Sequence, residues 1–430
     1  MADTALPISP PTTAVQLKVL IVGGGLFGLA AAISVALAGH QVTIFEAYSG
    51  PHEIGAGLQS SPNGTRLWEK WGLSSILEPL ATAPKALKIL DYDGTLLAQR
   101  LDYDVEVKKR YGYPLWTMHR IDLQTSLIHR AQELGVRIIY SARVDDIDMS
   151  TPSVTTQSKR TYKGDVVILA GGVWTSLRSQ VLGKQIDPEP SGDMAYRITI
   201  DYDQLNGRED LQAWMHDPMV RIWIGPGSHA VAYPVRGAKQ INVVLLVQDN
   251  FEIGQESRMA ADLAEMKRHF EGWDPMLNKL LETVQRVKKW RLMQLTPLDI
   301  WRSTQGTTVI GGDCCHAILP YMAQGLNLGL EDAAALGYLL GQVTSKDQIP
   351  KATAMYQDVR MARTARMLDE THKQAEYFHA VDEGPRKARN AEYGRSFDND
   401  SDWTHPKEQR WIWSYDAYKE AEKAYLGNPF

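Results

Sequence analysis

The chain is short of the features that define several large protein classes. Of its 430 residues only two are cysteine, the adjacent Cys314 and Cys315. Neighbouring Cα atoms lie about 3.8 Å apart, below the roughly 4.4–6.8 Å of a disulfide. Free thiols and a reducing, cytoplasmic setting are therefore expected, and a disulfide scaffold is excluded. The 11 histidines are scattered, with no HxH, HExxH or CxxC spacing, so no metal centre is expected. Residues 1–16 contain prolines but neither Lys nor Arg, so the basic start of a signal peptide is missing and a disordered tail is expected. The longest apolar stretch, around Ile21 to Ala38, is broken by glycines and cannot be read as a membrane span. Basic charge is in deficit too: 46 Lys and Arg against 51 Asp and Glu leave a net −5. Nucleic acid is thereby disfavoured as a partner, because backbone binding needs clustered excess cations. There is no internal repeat, no Ser–His–Asp order and no paired-carboxylate spacing. Such a chain is a soluble globular protein whose chemistry is carried by something other than its own nucleophiles.

What is present begins at once. Leu17–Val22 is a short apolar run with β-branched residues, followed by Gly23-x-Gly25-x-x-Gly28, an Ala-rich helical stretch to Ala38, and a second strand ending at Glu46. Strand, tight turn, helix and strand within about 30 residues form the opening of a dinucleotide-binding fold. Gly23 permits the turn, Gly25 lets backbone approach a pyrophosphate, and Gly28 allows the helix to touch the strand. Glu46 can accept bonds from both ribose hydroxyls. A second motif follows much later: Val309-Ile310-Gly311-Gly312-Asp313, then His316, Pro320 and Gln324-Gly325-Leu326-Asn327. Asp313 can accept from a ribitol or ribose hydroxyl, and Gly325, Leu326 and Asn327 open a helix whose amino end can hold another part of the same molecule. One cofactor with two such distant sites is long, which points to FAD rather than NAD.

Strands are also predicted at Val136–Ser141, Asp165–Ala170 and Thr307–Gly311, while Met194–Val247 alternates apolar and polar residues as an antiparallel sheet does. Residues 256–291 read as helical and charged, and the chain is helical and polar again from Lys346. The fold class expected is α/β, a Rossmann-like FAD-binding domain interrupted by a β-rich substrate domain, with a helical C-terminal region. In numbers, 17–85, 115–190 and 292–345 form the FAD-binding domain, 86–114 and 191–291 the substrate domain, and 346–430 the C-terminal region.

These residues carry a resemblance. The chain resembles the class A flavoprotein monooxygenases, the single-component aromatic hydroxylases such as para-hydroxybenzoate and salicylate hydroxylase, with a tail similar to fungal members. The likeness rests on the first glycine turn with Glu46, on Gly55-Ala56-Gly57 with Pro62-Asn63, on His119-Arg120-x-x-Leu123, on Asp165 to Arg178, on Gly225–Pro234 and on Gly312-Asp313 to Asp332. It implies FAD as cofactor, NADH or NADPH as transient co-substrate, O₂ and a small aromatic substrate as partners, and a monomer or homodimer. One oxygen atom would pass through a flavin hydroperoxide to a phenol, benzoate or indole-type compound. The resemblance further implies that Gly57 and Arg120 contact FAD. It also implies that His229 and Tyr233, which share a strand face by their spacing, reach the substrate pocket, and that Arg197 lies near the reactive end of the flavin. Trp116, Trp214 and Trp223 are candidate pocket walls.

Two features depart from the simplest picture. Where the family reads Ala-Asp-Gly, this chain has Ala170-Gly171-Gly172, which bears on nicotinamide use. No cluster of Arg stands out in the insertion, which favours a neutral aromatic over a carboxylate. The competing readings are a flavin oxidase or dehydrogenase on the same scaffold and a non-catalytic binding protein.

Overall fold

A computed structural model describes residues 15–51, 56–252, 254–396 and 406–430. The expected tail, up to residue 14, and Gly55 lie outside the described residues.

The opening strand Lys18–Val22 is the centre of a five-stranded parallel sheet. Its order is Thr308–Ile310, Val166–Leu169, Lys18–Val22, Gln41–Phe45, Arg137–Ile139. The central strands are almost wholly apolar because helices cover both faces of a parallel sheet. The first helix, Leu26–Leu37, runs beside a later one, Gly325–Gly341. A Cβ on Gly337 would overlap Ser34, and one on Gly329 would sit 3.5 Å from Phe27. Early therefore meets early and late meets late, so the two helices are parallel and their amino ends open at the same place.

The second sheet has eight strands, in the order Arg258–Ala261, Val287–Gln294, Glu189–Asp201, Gln240–Gln248, Ser228–Val235, Met219–Gly225, Ala86–Asp91, Leu96–Arg100. One of its faces carries Tyr196, Ile198, Trp223, Ala230, Val243 and Leu245, packed under the helices Glu209–His216, Leu263–Arg268 and Pro275–Glu282. The opposite face carries Ala195, Ile222, Tyr233 and Leu246 and packs on Tyr321, Leu328 and the C-terminal helices. Pro234 lies in the strand beyond the last residue paired with Met219–Gly225, where a missing N–H leaves no broken ladder bond on that side.

Residues 256–291 correct the sequence reading. Only Leu263–Arg268 and Pro275–Glu282 are helical, while Arg258–Ala261 and Val287–Gln294 extend the sheet. In the second strand Trp290 and Leu292 share one face and Lys289 and Arg291 the other, and the adjacent Lys288 and Lys289 hide a period of two. The C-terminal region is the 30-residue helix Ile349–Phe378, followed by Glu383–Ser396, Pro406–Trp413 and Ala417–Gly427.

Candidate active site

The amino end of the first helix is built as the glycines require. Gly23 has φ +112, and a Cβ there would overlap Ala170 O; one on Gly28 would overlap Gly23 O. A Cβ on Gly25 would meet nothing within 4 Å, so the space over this turn is open. Glu46 bounds it: its Oε2 accepts from Gly24 N at 2.7 Å and its Oε1 from Tyr48 N at 2.8 Å. The amide groups of Gly325, Leu326 and Asn327 start the parallel helix and have no intrahelical acceptor. Two helix dipoles and two sets of free amides thus converge on one region, suited to a pyrophosphate and to an electron-rich ring system. These features, the open cradle above all, fit a bound FAD. Asp313, at the start of the short helix Asp313–His316, faces the adjoining cavity.

The remaining sequence candidates divide between lining and scaffold. Asn327 is fully buried and its amide is spent on the protein. Its Nδ2 donates to Ala323 O and Gln59 O, and its Oδ1 accepts from Ser61 N. Gly57 pairs with His119, and its absent Cβ leaves room for Tyr233 and Asn242, which would lie 2.6 and 2.7 Å away. Arg120 opens the helix Arg120–Glu133, its N–H bonded to Ala56 O. Asp165 accepts from Lys18 N and pairs with Lys346, far down the sheet. Buried Arg178 donates to Val173 O, Ile186 O and Cys314 O, tying the glycine turn after residue 170 to the Asp313 helix. Trp214 and Trp223 stack on each other against the helical face of the large sheet, and Trp116 packs in the core beside the parallel sheet. None of the three borders the cavity.

A cavity of about 160 Å³ lies between Val173, Trp174, Arg197, Ser257, Arg258, Trp290 and the segment Asp313–Pro320. Arg197 is on the inner face of the strand Glu189–Asp201, with its guanidinium carbon 4.2 Å from the Trp290 ring centre; that of Arg258 is 5.7 Å from the same ring. The buried Trp290 Nε1 has no hydrogen-bond partner among the described residues. The Arg291 side chain leaves the opposite face of its strand, where Asp249 holds it at 2.8 Å and its guanidinium carbon lies 5.0 Å from the Phe251 ring centre. The insertion thus brings a pair of arginines, Arg197 and Arg258, to the cavity. Arg197 and Arg258 are far apart in sequence, and the two strands that flank the Trp290 strand bring them together over its ring.

His229 and Tyr233 project from the strand Ser228–Val235 on the same face as Arg197, as strand alternation and the pairing His229–Leu246–Ala195 require. Burial raises the Tyr233 hydroxyl well above its ordinary range despite the cations Arg197 and Arg120 nearby, so it stays a protonated donor. His229 is buried against Tyr321, Phe378 and His379. Burial, and then His379, keep it neutral at ordinary pH. Sequence reasoning missed Trp174, Arg258, Trp290, Tyr321 and His379. The strand period around Trp290 was the one local signal, whereas His379 lies 150 residues from His229.

Among the described residues one group, Cys315, His316 and Asp332, has metal-like spacing. Asp332 is already shared by His316, Gly312 N and the Arg360 guanidinium. A buried cation there leaves no place for a second. No helix among the described residues is long and apolar enough to cross a membrane.

Comparison with known proteins places this geometry. Residues 16–371 match the family described as FAD binding domain. The chain is 40% identical to the FAD-dependent monooxygenase OpS4 of Beauveria bassiana, covering 95% of this chain and 97% of that protein. It is 32% identical to a 3-hydroxybenzoate 6-hydroxylase of Polaromonas naphthalenivorans, covering 85% and 89%. A salicylate hydroxylase substrate complex has the same fold, with a TM-score of 0.79 at 23% identity over 95% of this chain and 98% of that one. With its glycine cradle, paired helix ends and inserted sheet accounted for, the chain belongs to the FAD-binding-domain family and, within it, to the class A FAD-dependent monooxygenases.

Proposed function

We propose that the enzyme uses NADH or NADPH and O₂ to hydroxylate a phenol that carries an acidic group, a hydroxybenzoate-like compound. The observation that carries this reading is the shared sheet face of Arg197, His229 and Tyr233, of which Arg197 lines a cavity together with Arg258 and Trp290.

The backbone amides at Gly23–Gly25 and Gly325–Leu326, with Glu46, Arg120 and Asp313, would hold the FAD. When bound, it supplies electron transfer from the nicotinamide and activation of O₂. The protein's own groups prepare the substrate. Neutral His229 is an acceptor for a phenolic proton, and ionising the phenol raises the electron density of its ring. Tyr233 donates a hydrogen bond to the oxygen so formed, and Arg197 offers positive charge to it. Arg258 and the Trp290 N–H are suited to a carboxylate at the other end. The packed inner face of the sheet, with Leu246, Ile222 and Leu319, keeps water from the reacting centre.

The test is oxidation of NADH and NADPH in air by the FAD-loaded enzyme, across neutral phenols and their carboxylated counterparts, with oxygen traced from labelled O₂. Label in a hydroxylated benzoate, with neutral phenols weaker, supports the proposal. Arg258→Ala should raise KM for the benzoate about tenfold, as loss of one charge-assisted bond does, and leave the neutral phenol unchanged. A product without label would return the chain to the oxidase reading.

A further inference from the structure

The strongest unexplained feature is a partly buried chain of polar groups that meets at the end of the helix Ile349–Phe378. His379 caps that helix, its N–H bonded to Ala375 O. Its Nε2 lies 2.8 Å from Nδ1 of His229. Its Nδ1 faces Oδ1 of Asp193 at 3.8 Å, and the other carboxylate oxygen of Asp193 accepts from the Tyr321 hydroxyl. Four parts of the chain, remote in sequence, are joined by these contacts: two strands of the large sheet, the turn Pro320–Met322 and the end of a C-terminal helix.

The donor pattern follows from what each group can do. At 3.8 Å the Asp193 carboxylate is beyond a direct hydrogen bond, but its negative charge favours the His379 tautomer whose proton is on the nitrogen that faces it. In a neutral ring the other nitrogen, Nε2, then has the lone pair. Two imidazole nitrogens 2.8 Å apart need one proton between them, so it is on His229 Nδ1, which donates. Nε2 of His229 is left with a lone pair, and it makes no hydrogen bond among the described residues. Burial keeps both rings neutral. Asp193 draws the His379 value upward, and Arg389, fixed by its bonds to Phe378 O and Tyr377 O, opposes that.

We propose that His379, oriented by Asp193, is a positioning residue that fixes the tautomer of His229 and so keeps its Nε2 unprotonated to take the phenolic proton of the substrate. In the step the substrate O–H bond breaks, its electron pair stays on oxygen, and the proton binds Nε2 of His229. The inference rests on the proposed phenol hydroxylation and deepens it. It gives a catalytic reason for the C-terminal helices to close over the substrate sheet.

Three variants test it in the FAD-loaded enzyme, with the phenol or hydroxybenzoate that the wild type turns over best. His379→Leu keeps bulk but offers no acceptor. His379→Gln keeps an acceptor oxygen for His229 Nδ1–H. Expected is a fall of about 10²-fold in kcat for His379→Leu, with KM within a few-fold, since a positioned base contributes roughly 10²–10⁴. His379→Gln should stay within a few-fold of wild type in kcat. The ultraviolet difference spectrum of phenol ionisation, recorded on binding without reductant, should be present in wild type and His379→Gln and absent in His379→Leu. Asp193→Asn, nearly isosteric, can turn an N–H toward His379 and invert the pattern, so it should lose the ionisation signal as His379→Leu does. If His379→Leu fails to retain FAD, the Asp193→Asn signal decides between the two outcomes. Equal loss in the Leu and Gln variants, or an ionisation signal that survives in Asp193→Asn, overturns the assignment while leaving the monooxygenase reading intact. If wild type hydroxylates no phenol of the panel, both fall together.

Discussion

At the scale of single residues, the glycines decide most. The first glycine motif was legible in sequence because each of its glycines answers a steric demand, and the structure shows which atom makes it: Ala170 O for Gly23 and Gly23 O for Gly28. Gly171 is the instructive exception. Relative to the resemblance it looks like a lost carboxylate. In the structure a Cβ at 171 would lie 2.8 Å from both Cβ and Oγ1 of Thr175, so the absent side chain and Thr175 belong together. Restoring the acid alone should therefore harm the protein. Gly171→Asp is expected to destabilise it by about 1–3 kcal/mol, the usual cost of overpacking. Gly171→Asp with Thr175→Gly should recover most of that loss, read as thermal midpoints of the two variants beside wild type. If the single variant is as stable as wild type, the turn is looser than this contact implies. Residue spacing could not have shown this, since the acceptor of the clash is a side chain whose rotamer belongs to the folded turn.

At the scale of elements, the C-terminal helices were legible as helices but not as parts of the site. Their aromatic residues serve the arginines of the long helix. The Arg363 guanidinium carbon lies 3.8 Å from the Tyr415 ring centre and 4.6 Å from that of Trp411, and Arg363 donates to Ile412 O at 3.0 Å. Below them is a fully buried set of two cations and two carboxylates. Arg363 pairs with Glu331 at 2.7 Å, and Arg360 reaches both Glu331 and Asp332 at 2.8 Å. Burial opposes ionisation of Glu331, but Arg363 and Arg360 outweigh it and hold its carboxyl below the usual range. Asn63 completes the set: its Nδ2 donates to Glu331 Oε1 and to Gln324 Oε1. The network thus fixes the residue just before the Gly325 helix end, which links tail packing to cofactor binding. Glu331→Gln removes one negative charge at almost constant shape and leaves a buried cation unmatched. A loss of about 3–5 kcal/mol is expected, as for other broken buried pairs, accompanied by weaker FAD retention on gel filtration. Glu331→Gln with Arg363→Met, which restores the balance, should cost less than the single change. A smaller effect of the single variant than of the double would show that the charges are not coupled.

At the scale of the whole molecule, the same burial that builds the site sets how stability responds to pH. His40, His119, His229, His269 and His379 are all held below the ordinary histidine value of 6.5, burial being the largest cause for each. They come from the parallel sheet, the two-stranded sheet of Gly57–Ser60 and Trp116–His119, the large sheet, its covering helices and the C-terminal region, so the effect is not local. The unfolded chain binds these protons near pH 6.5 while the folded chain refuses them until lower pH. The unfolded state therefore holds more protons in that window, and stability rises with pH across it. Full stability is expected above about pH 7, with a decline that begins near 6.5 and continues until the folded histidines titrate. A second decline follows in more acid solution, where Glu265, held down to about 2 chiefly by its bond from Tyr196, and the Glu331–Asp332 pair would have to take up protons. Thermal midpoints recorded from pH 8 to pH 5 should thus be flat at first and then fall, well before any carboxylate titrates. His379→Gln, which keeps an acceptor for His229 Nδ1–H, should have a shallower fall than wild type because one of the refusing groups is gone. A midpoint that stays level down to pH 5 would mean that the buried histidines accept protons in the folded state. His229 would then be charged under working conditions, and it could no longer be the group that receives a proton from the substrate.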